Sequence, residues 1–173
     1  MADKASQADA AIANLKSKAG KFLSFVLGNE EYGLEILKVQ EIIGMMNVTH
    51  VPRAADYVRG VINLRGKVIP VVDLRLKFGL PGKEDTERTC IIVVQVAFDS
   101  GDVTMGIIVD EVSEVLDIAG EQMEPAPSFG AAANTDFILG MGKLGEKVVM
   151  LLDIDKVLST SDAADLERIA AAE

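Results

Sequence analysis

The sequence is poor in the residue types that build disulfides, metal centres and catalytic sites. Its 173 residues include one cysteine, one histidine and no tryptophan. Cys90 has no partner for an intramolecular disulfide, and its place in the apolar run 89–94 predicts a buried structural thiol. A zinc or haem site needs several ligands at a characteristic spacing, whereas His50 stands alone and far from Cys90 in the chain. We therefore expect neither a metal nor another cofactor.

Groups that could perform catalysis are equally scarce. Nucleophile activation usually needs a positioned base, and the only histidine comes shortly before Pro52, where a loop or strand-end side chain is expected. Carboxylates such as Glu41, Asp110 and Glu114 could pair in space, but among 27 acidic residues such a pairing says little. The glycines near Gly140 lack the phosphate-loop and dinucleotide fingerprints. We therefore do not expect an enzyme.

Basic residues and long apolar runs are also lacking. The 17 Lys and Arg against 27 Asp and Glu give a net charge of -10, which opposes binding to nucleic acid or to anionic lipid. No apolar run approaches the roughly 20 residues of a membrane span. Residues 1–20 mix charges with alanine, so they predict a flexible or partly helical arm rather than a secretory signal. A cytoplasmic protein without membrane insertion is expected.

Because aromatic residues make up only 5% of the chain, the core must consist mainly of Val, Ile, Leu and Met. The β-branched residues among them favour strands. The clearest element is a hairpin from Gly60 to Asp73, with a turn that contains Arg65 and Gly66. Pro70 cannot donate a ladder hydrogen bond, so the second arm is predicted to lie at a sheet edge or to carry a bulge.

Other segments are less distinct. The run 22–36, with a Gly-Asn turn signal in its middle, predicts a second hairpin. Apolar residues at mixed spacings in 37–43 are compatible with helix or strand, and we favour a short helix. Residues 54–59 are interpreted as one helical turn, and Asp73 is a good N-cap for a short helix.

The two halves of the chain are similar when the sequence is aligned with itself without gaps. A longer offset places Gly60 on Gly140, Leu64 on Leu144, Lys67 on Lys147, Val68 on Val148 and Asp73 on Asp153. A shorter offset places Gly33 on Gly106, Val39 on Val112 and Glu41 on Glu114. This repeat predicts two similar β subdomains packed as one domain, with chance likeness between apolar strands as the alternative.

The repeat also separates structural from functional candidates. Asp73 recurs as Asp153, so both are interpreted as structural caps rather than catalytic acids. Arg65 does not recur, because Gly145 occupies the matching position. The hairpin can be closed without an arginine, and Arg65 therefore becomes a candidate for a role outside the fold.

Three motifs carry a family resemblance. They are Gly-Val-Ile-Asn-Leu-Arg-Gly-Lys-Val-Ile-Pro-Val-Val-Asp-Leu-Arg at 60–75, Glu-Tyr-Gly at 31–33 and Gly-Ile-Ile-Val-Asp at 106–110. Over residues 21–158 the chain resembles the CheW family of bacterial chemotaxis coupling proteins. The resemblance implies a mainly β fold of two five-stranded barrels, similar to SH3 barrels, around a shared core. Short helices are also expected, with a C-terminal helix or tail at 159–173.

The resemblance implies a non-catalytic adaptor. Such a protein links the cytoplasmic tips of methyl-accepting chemotaxis receptors to the regulatory domain of the histidine kinase CheA. It would be a monomer in isolation and a member of receptor arrays at the inner membrane. A specialised adaptor for another array, or a fragment of a fused adaptor, is a second possibility, although the length of the match argues against a fragment. A third is a small-molecule-binding β-barrel.

The family's contact residues can be carried over by position. The receptor-binding positions match Gly60, Asn63, Leu64 and Arg65. The kinase-binding positions match Ile36, Val39, Glu41 and Phe129. Core packing is the alternative for Ile36 and Val39, a solvated turn for Arg65, and a loop-pinning role for Phe129. Glu124 departs from the basic residue often expected near Phe129.

Overall fold

The chain folds into short strands with few helical turns. The computed structural model describes residues 19–80, 84–98, 101–126 and 137–158. Phe129, most of the predicted N-terminal arm and the segment 159–173 lie outside these ranges. The strands are β1 (Gly20–Leu27), β2 (Glu30–Glu35), β3 (Val39–Gly44), β4 (Val58–Leu64), β5 (Lys67–Asp73), β6 (Cys90–Phe98), β7 (Gly101–Val109), β8 (Glu111–Ile118), β9 (Met123–Glu124), β10 (Ile138–Leu144) and β11 (Lys147–Leu152). The helical elements are the 3-10 helices η1 (Ile36–Lys38) and η2 (Gly120–Gln122) and the α-helices α1 (Leu74–Lys77) and α2 (Ile154–Leu158).

The strands form two sheets that each close on themselves. One has five strands in the order β3-β6-β7-β5-β4, and the other has six in the order β8-β1-β2-β11-β10-β9. In the first, the segment after β3 returns to pair Thr49 with Val61 of β4. In the second, β9 follows β8 in the chain and pairs with β10. We call these the first and second barrels, and they confirm the predicted mainly β fold of two similar subdomains.

Each barrel takes strands from both copies of the repeat. The hairpin β1–β2 starts the first copy but belongs to the second barrel, and β6–β7 starts the second copy but belongs to the first barrel. Each exchanged hairpin joins its barrel through parallel pairing, of β2 with β11 and of β7 with β5. Neither half of the chain therefore supplies a complete barrel, which the repeat alone does not reveal.

Three apolar clusters fill the molecule. The largest takes buried residues from both sheets and so forms a shared core, with members that include Phe25, Leu34, Val72, Ile92, Ile107 and Leu152. The first barrel has its own cluster around Ile62, Ile69, Val71, Ile91, Val93 and Ile108. The second barrel has one around Phe22, Ile118, Met123, Val149 and Leu151. Aliphatic side chains dominate all three, as the composition predicts.

A buried ion network ties α1 to the barrel junction. Asp73 caps α1 as predicted, since its Oδ1 accepts from the backbone N of Arg75 at 3.1 Å. The Arg75 side chain, 1% exposed, also donates to both Asp73 oxygens and to Asp110 Oδ1 at 3.0 Å. Burial by itself would raise the pKa of Asp73, but the hydrogen bonds and charges of Arg75 and Arg59 hold it below its ordinary value. Asp153 likewise precedes α2, where its Oδ1 accepts from the backbone N of Lys156.

Two predicted helical segments are wrong. For the segment 37–43, only Ile36–Lys38 is helical, and Val39–Gly44 is a strand that pairs with β6. The mixed apolar spacing there fits a strand with one face on the barrel interior. Residues 54–57 form turns without a helix, and β4 begins at Val58.

The predicted edge position of β5 is also wrong, because β5 lies between β4 and β7. The sheet tolerates Pro70 for a local reason. Val61, its partner in β4, uses both its backbone N and O to bond Thr49. The missing N–H of Pro70 therefore faces away from β4, and parallel pairing with β7 begins only at Val71. The register shift of this hairpin lies in β4, between Val58 and Gly60.

Candidate protein-interaction surface

The turn between β4 and β5 is the centre of the candidate site. The strands pair up to Leu64 and Lys67, so Arg65 and Gly66 form a two-residue turn. Their φ angles are 53° and 86°, as a type I′ turn requires. Asn63 Oδ1 accepts from the backbone N of Gly66 at 2.7 Å and closes the turn. The side chain of Arg65 is 70% exposed.

Arginine is an unfavourable residue at this turn position. A left-handed conformation costs a residue with a side chain on the order of 1–2 kcal/mol. The matching turn of the second copy has Gly145 there, with φ 67°. Glycine would therefore close the first hairpin at lower cost. This comparison supports the hypothesis that Arg65 serves something outside the fold.

Arg65 also joins the two predicted contact surfaces. Its Nη2 donates to Oε1 of Glu41, on β3 of the same barrel. The resemblance assigns Arg65 to the receptor and Glu41 to the kinase, and the structure brings them into contact. An exposed ion pair of this kind contributes about 0.2–1 kcal/mol. A partner that binds either side chain can therefore displace the other at little cost.

The other predicted receptor-binding residues differ in exposure. Asn63 is exposed, whereas Leu64 is half-buried and packs against the first-barrel cluster. Gly60 is buried and has φ 145°. An added Cβ at Gly60 would overlap the carbonyl oxygen of Thr49, which closes the barrel. Gly60 and Leu64 therefore shape the hairpin, while Asn63 and Arg65 face solvent.

The predicted kinase-binding surface lies at η1, where the chain crosses from β2 in the second barrel to β3 in the first. Ile36 and Val39 are half-buried and pack against the shared core. Leu37, between them, is 93% exposed. Full burial of a leucine side chain stabilises a fold by about 1.5–3 kcal/mol, and Leu37 does not provide this stabilisation. Leu37 is thus the projecting apolar group of this surface, and sequence reasoning missed it.

The repeat contains a signal that could have identified Leu37. The shorter offset, which places Gly33 on Gly106, also places Leu37 on Asp110, at the reverse crossover from β7 to β8. Asp110 is 8% exposed and accepts from Arg75 and, at 2.7 Å, from the backbone N of Gly28. One crossover therefore presents a buried acid that is fully engaged, and the other presents an exposed leucine.

The remaining candidates have structural explanations. His50 is exposed beside the strand-closing Thr49. Cys90, which the sequence predicts to be buried, is only half-buried against the shared core; this partial burial raises the pKa of its thiol, which suits an inert side chain. Glu124 lies in β9 and pairs with Lys143 Nζ at 2.6 Å.

A charged pocket and the arrangement of metal-ligating side chains bear on whether the chain binds a small molecule or a metal. A pocket beside the β1–β2 turn is lined largely by charged residues, among them Asp85, Glu87, Arg88 and Glu111. Sites for small molecules are usually lined by apolar groups, so this pocket is a poor match. Among the described residues, no cluster of three or more His, Cys, Asp or Glu could hold a metal ion. None of their helices is long and apolar enough to cross a membrane.

Comparison with known proteins assigns the family. The model of the CheW-like domain matches residues 21–162. The chain belongs to the CheW family. A chemotaxis protein CheW from Klebsiella aerogenes is 43% identical over 166 residues, which cover 93% of this chain and 98% of the relative. A chemotaxis protein CheW from Helicobacter pylori is 34% identical, over 80% of this chain and 81% of the relative.

A solved structure agrees with the family assignment. The crystal structure of the scaffolding protein TtCheW from Thermoanaerobacter tengcongensis matches with a TM-score of 0.73 and 31% sequence identity. The match covers 83% of this chain and 95% of that protein. Membership of the CheW family makes this chain an adaptor, or scaffold, of chemotaxis signalling.

Proposed function

We propose that the chain couples the cytoplasmic tips of methyl-accepting chemotaxis receptors to the histidine kinase CheA, through protein contacts and without catalysis. It works in the cytoplasm as a monomer that joins receptor arrays at the inner membrane. The observation that carries this proposal is the family-type hairpin turn, where Arg65 has a left-handed backbone and an exposed side chain. A sequence poor in catalytic groups supports the same proposal.

The receptor contact centres on Arg65 and Asn63. A guanidinium presents a fixed fork of donors, which can bind a carboxylate or a pair of carbonyls on a receptor helix. The chain carries a net charge of -10, so an exposed arginine is a local positive feature on an acidic molecule. Gly60 and Leu64 support the contact by fixing the shape of the hairpin.

The kinase contact centres on η1 and β3. Ile36, Val39 and Glu41 match the family positions, and Leu37 adds a projecting apolar anchor between them. An exposed leucine that inserts into an apolar pocket of the CheA regulatory domain would gain the burial that it lacks in the free chain. Phe129 provides a second contact where kinase and adaptor alternate in rings.

Titration calorimetry with a CheA regulatory domain and with a receptor-tip fragment tests the proposal. Both are expected to bind the chain. Arg65→Ala should weaken receptor binding about tenfold or more, equivalent to about 1.4 kcal/mol, and leave kinase binding nearly unchanged. Glu41→Gln breaks the same ion pair but keeps the arginine, so it should preserve receptor binding. Failure to bind either partner, or equal loss of both with Arg65→Ala, would refute the proposal.

A further inference from the structure

The helix η1 packs Ile36 against the shared core but has little internal support. It comprises three residues, and its N-cap residue Glu35 makes no side-chain capping hydrogen bond. Leu37, the residue that projects from it, makes almost no contact with the fold at 93% exposure. A side chain on so short a turn is well oriented only if a neighbouring element fixes the turn. The orientation of Leu37 therefore depends on what holds η1.

Besides the packing of Ile36, Asp155 of α2 supports η1 through a polar link. Its Oδ2 accepts from Lys38 Nζ of η1 at 2.8 Å, and its Oδ1 accepts from the backbone N of Ala97 at 2.9 Å. The Lys38 and Asp155 side chains are 32% and 28% exposed, so solvent screens the pair only in part. One carboxylate thus links the crossover to strand β6 of the first barrel. The hydrogen bond to Asp155 also raises the pKa of Lys38, because the carboxylate favours the charged form of the amine.

The carboxylate itself is rigidly placed. Ile154, Val157 and Leu158, on the same helix, are each 3% exposed or less and belong to the shared core. α2 follows β11 of the second barrel, whereas Ala97 lies in the first. Asp155 therefore fixes η1 relative to both barrels.

The other copy of the repeat has a comparable ion pair, in which the acid and the base have exchanged places. The longer offset, which places Asp73 on Asp153, also places Arg75 on Asp155, and Arg75 reaches Asp110 at the opposite crossover. In that copy the crossover residue, Asp110, is buried at the junction between the barrels. Around Asp155 the ion pair instead engages Lys38, the neighbour of the exposed leucine. The contact thus fixes the turn and leaves Leu37 projecting outward.

We propose that Asp155 is a positioning residue for the kinase-binding surface, and that it acts through Lys38 to hold Leu37 in its binding orientation. The inference rests on the proposed function of this surface. Asp155 is not assigned to the surface by the family resemblance, and its role requires no contact with the kinase. Asp155 raises the fraction of molecules in which η1 already holds Leu37 in the orientation that the kinase binds.

Affinities of Asp155→Asn for the CheA regulatory domain and for the receptor-tip fragment test the inference. Kinase-domain affinity should fall about tenfold, which corresponds to a change of about 1.4 kcal/mol in the free energy that separates the ready from the unready state of η1. Receptor affinity should stay unchanged. Lys38→Met should give a similar loss, and the double variant should be no worse than either single variant. Asp155→Glu should recover part of the affinity, since it restores a carboxylate that can reach Lys38.

Lys147→Met is the matched control, because it breaks a comparable ion pair between Lys147 Nζ and Glu31 Oε2, 2.6 Å apart in the second barrel. It should leave kinase affinity unchanged. Additive losses in the double variant, or equal losses for both partners, would overturn the positioning role. If Leu37→Gln lowers kinase affinity but Asp155→Asn leaves it unchanged, the inference fails and the proposed function stands. If the parent chain does not bind the kinase domain, both fail.

Discussion

At the scale of single residues, Arg65 and Leu37 each carry a cost that the fold does not require. Arg65 holds a left-handed backbone where the other copy has glycine, and Leu37 leaves an apolar side chain in water. Strained residues cluster at functional sites, and an apolar side chain that projects from a predicted contact surface is available to anchor a partner. These costs separate Arg65 and Leu37 from neighbours such as Gly60 and Ile36, whose roles within the fold are visible.

Substitution of Arg65 by asparagine should separate binding from folding. Asparagine tolerates the left-handed region, so Arg65→Asn relieves strain while it loses the exposed ion pair with Glu41. The free energy of unfolding should stay within about 1 kcal/mol of the parent, as measured by denaturant titration. Receptor affinity should fall at least about tenfold. The reverse change, Gly145→Arg, should destabilise the second barrel by about 1–2 kcal/mol. A clear loss of stability with Arg65→Asn would show that the arginine is structural.

Leu37→Gln tests the apolar anchor. Because Leu37 is almost fully exposed, the melting temperature should not change, while affinity for the CheA regulatory domain should fall about tenfold or more. Val148→Gln is a suitable control, since Val148 is 53% exposed on the second barrel and lies outside the proposed contacts. Calorimetry on both variants gives the comparison. Equal effects of the two substitutions would mean that general surface hydrophobicity, rather than this anchor, drives binding.

At the scale of elements, the junction network should make the fold sensitive to acid. The folded pKa of Asp73 lies below its ordinary value, so its charge stabilises the fold above about pH 4 and this contribution is lost as the pH falls through the folded pKa. Asp73→Asn should lower the free energy of unfolding by about 3 kcal/mol at neutral pH and flatten its acid dependence. Asp117→Asn, at an exposed pair with Lys21, should do neither. Identical acid profiles for parent and Asp73→Asn would contradict this role.

The closure of the first barrel should depend on Gly60. An alanine there meets the Thr49 carbonyl and a φ that side chains rarely adopt, so Gly60→Ala should lower the free energy of unfolding by more than about 2 kcal/mol. Gly44→Ala, where an added Cβ meets nothing within 4 Å, should be neutral or slightly stabilising. Denaturant unfolding measures both. Unchanged stability in Gly60→Ala together with weaker receptor binding would make Gly60 a direct contact residue.

Local chemistry explains which elements could be predicted from the sequence. Alternating apolar residues and a Gly-containing turn identify the β4–β5 hairpin, and Asp73 marks the start of α1. Segment 39–44 has no such signal, because its strand state depends on pairing with Ile91, Ile92 and neighbouring residues of β6, far along the chain. The exposure of Leu37 is equally invisible, since an apolar residue is expected to be buried unless its position in the crossover is known.

At the scale of the whole molecule, the exchanged hairpins make one body of the two barrels. The shared core takes residues from both sheets, and η1 is itself the link between them. The hairpin turn with Arg65 and the crossover with Leu37 are therefore held on one rigid scaffold. A scaffold of this kind can bind two partners through separate groups while the Arg65–Glu41 pair connects the neighbouring surfaces.

The proposed coupling can be tested by reconstitution of the chain with full-length CheA and receptor-tip assemblies, with kinase activity as the readout. Coupling by a single bridging molecule predicts that receptor-dependent kinase activity appears only when all three are present. It also predicts that, at a concentration that just saturates the parent chain, the Arg65→Asn or Leu37→Gln chain alone, or both mixed together, restores much less activity, because one molecule must engage both partners. Parent-like activity from the mixed variants, or receptor-dependent kinase activity that is the same with and without the chain, would contradict this coupling.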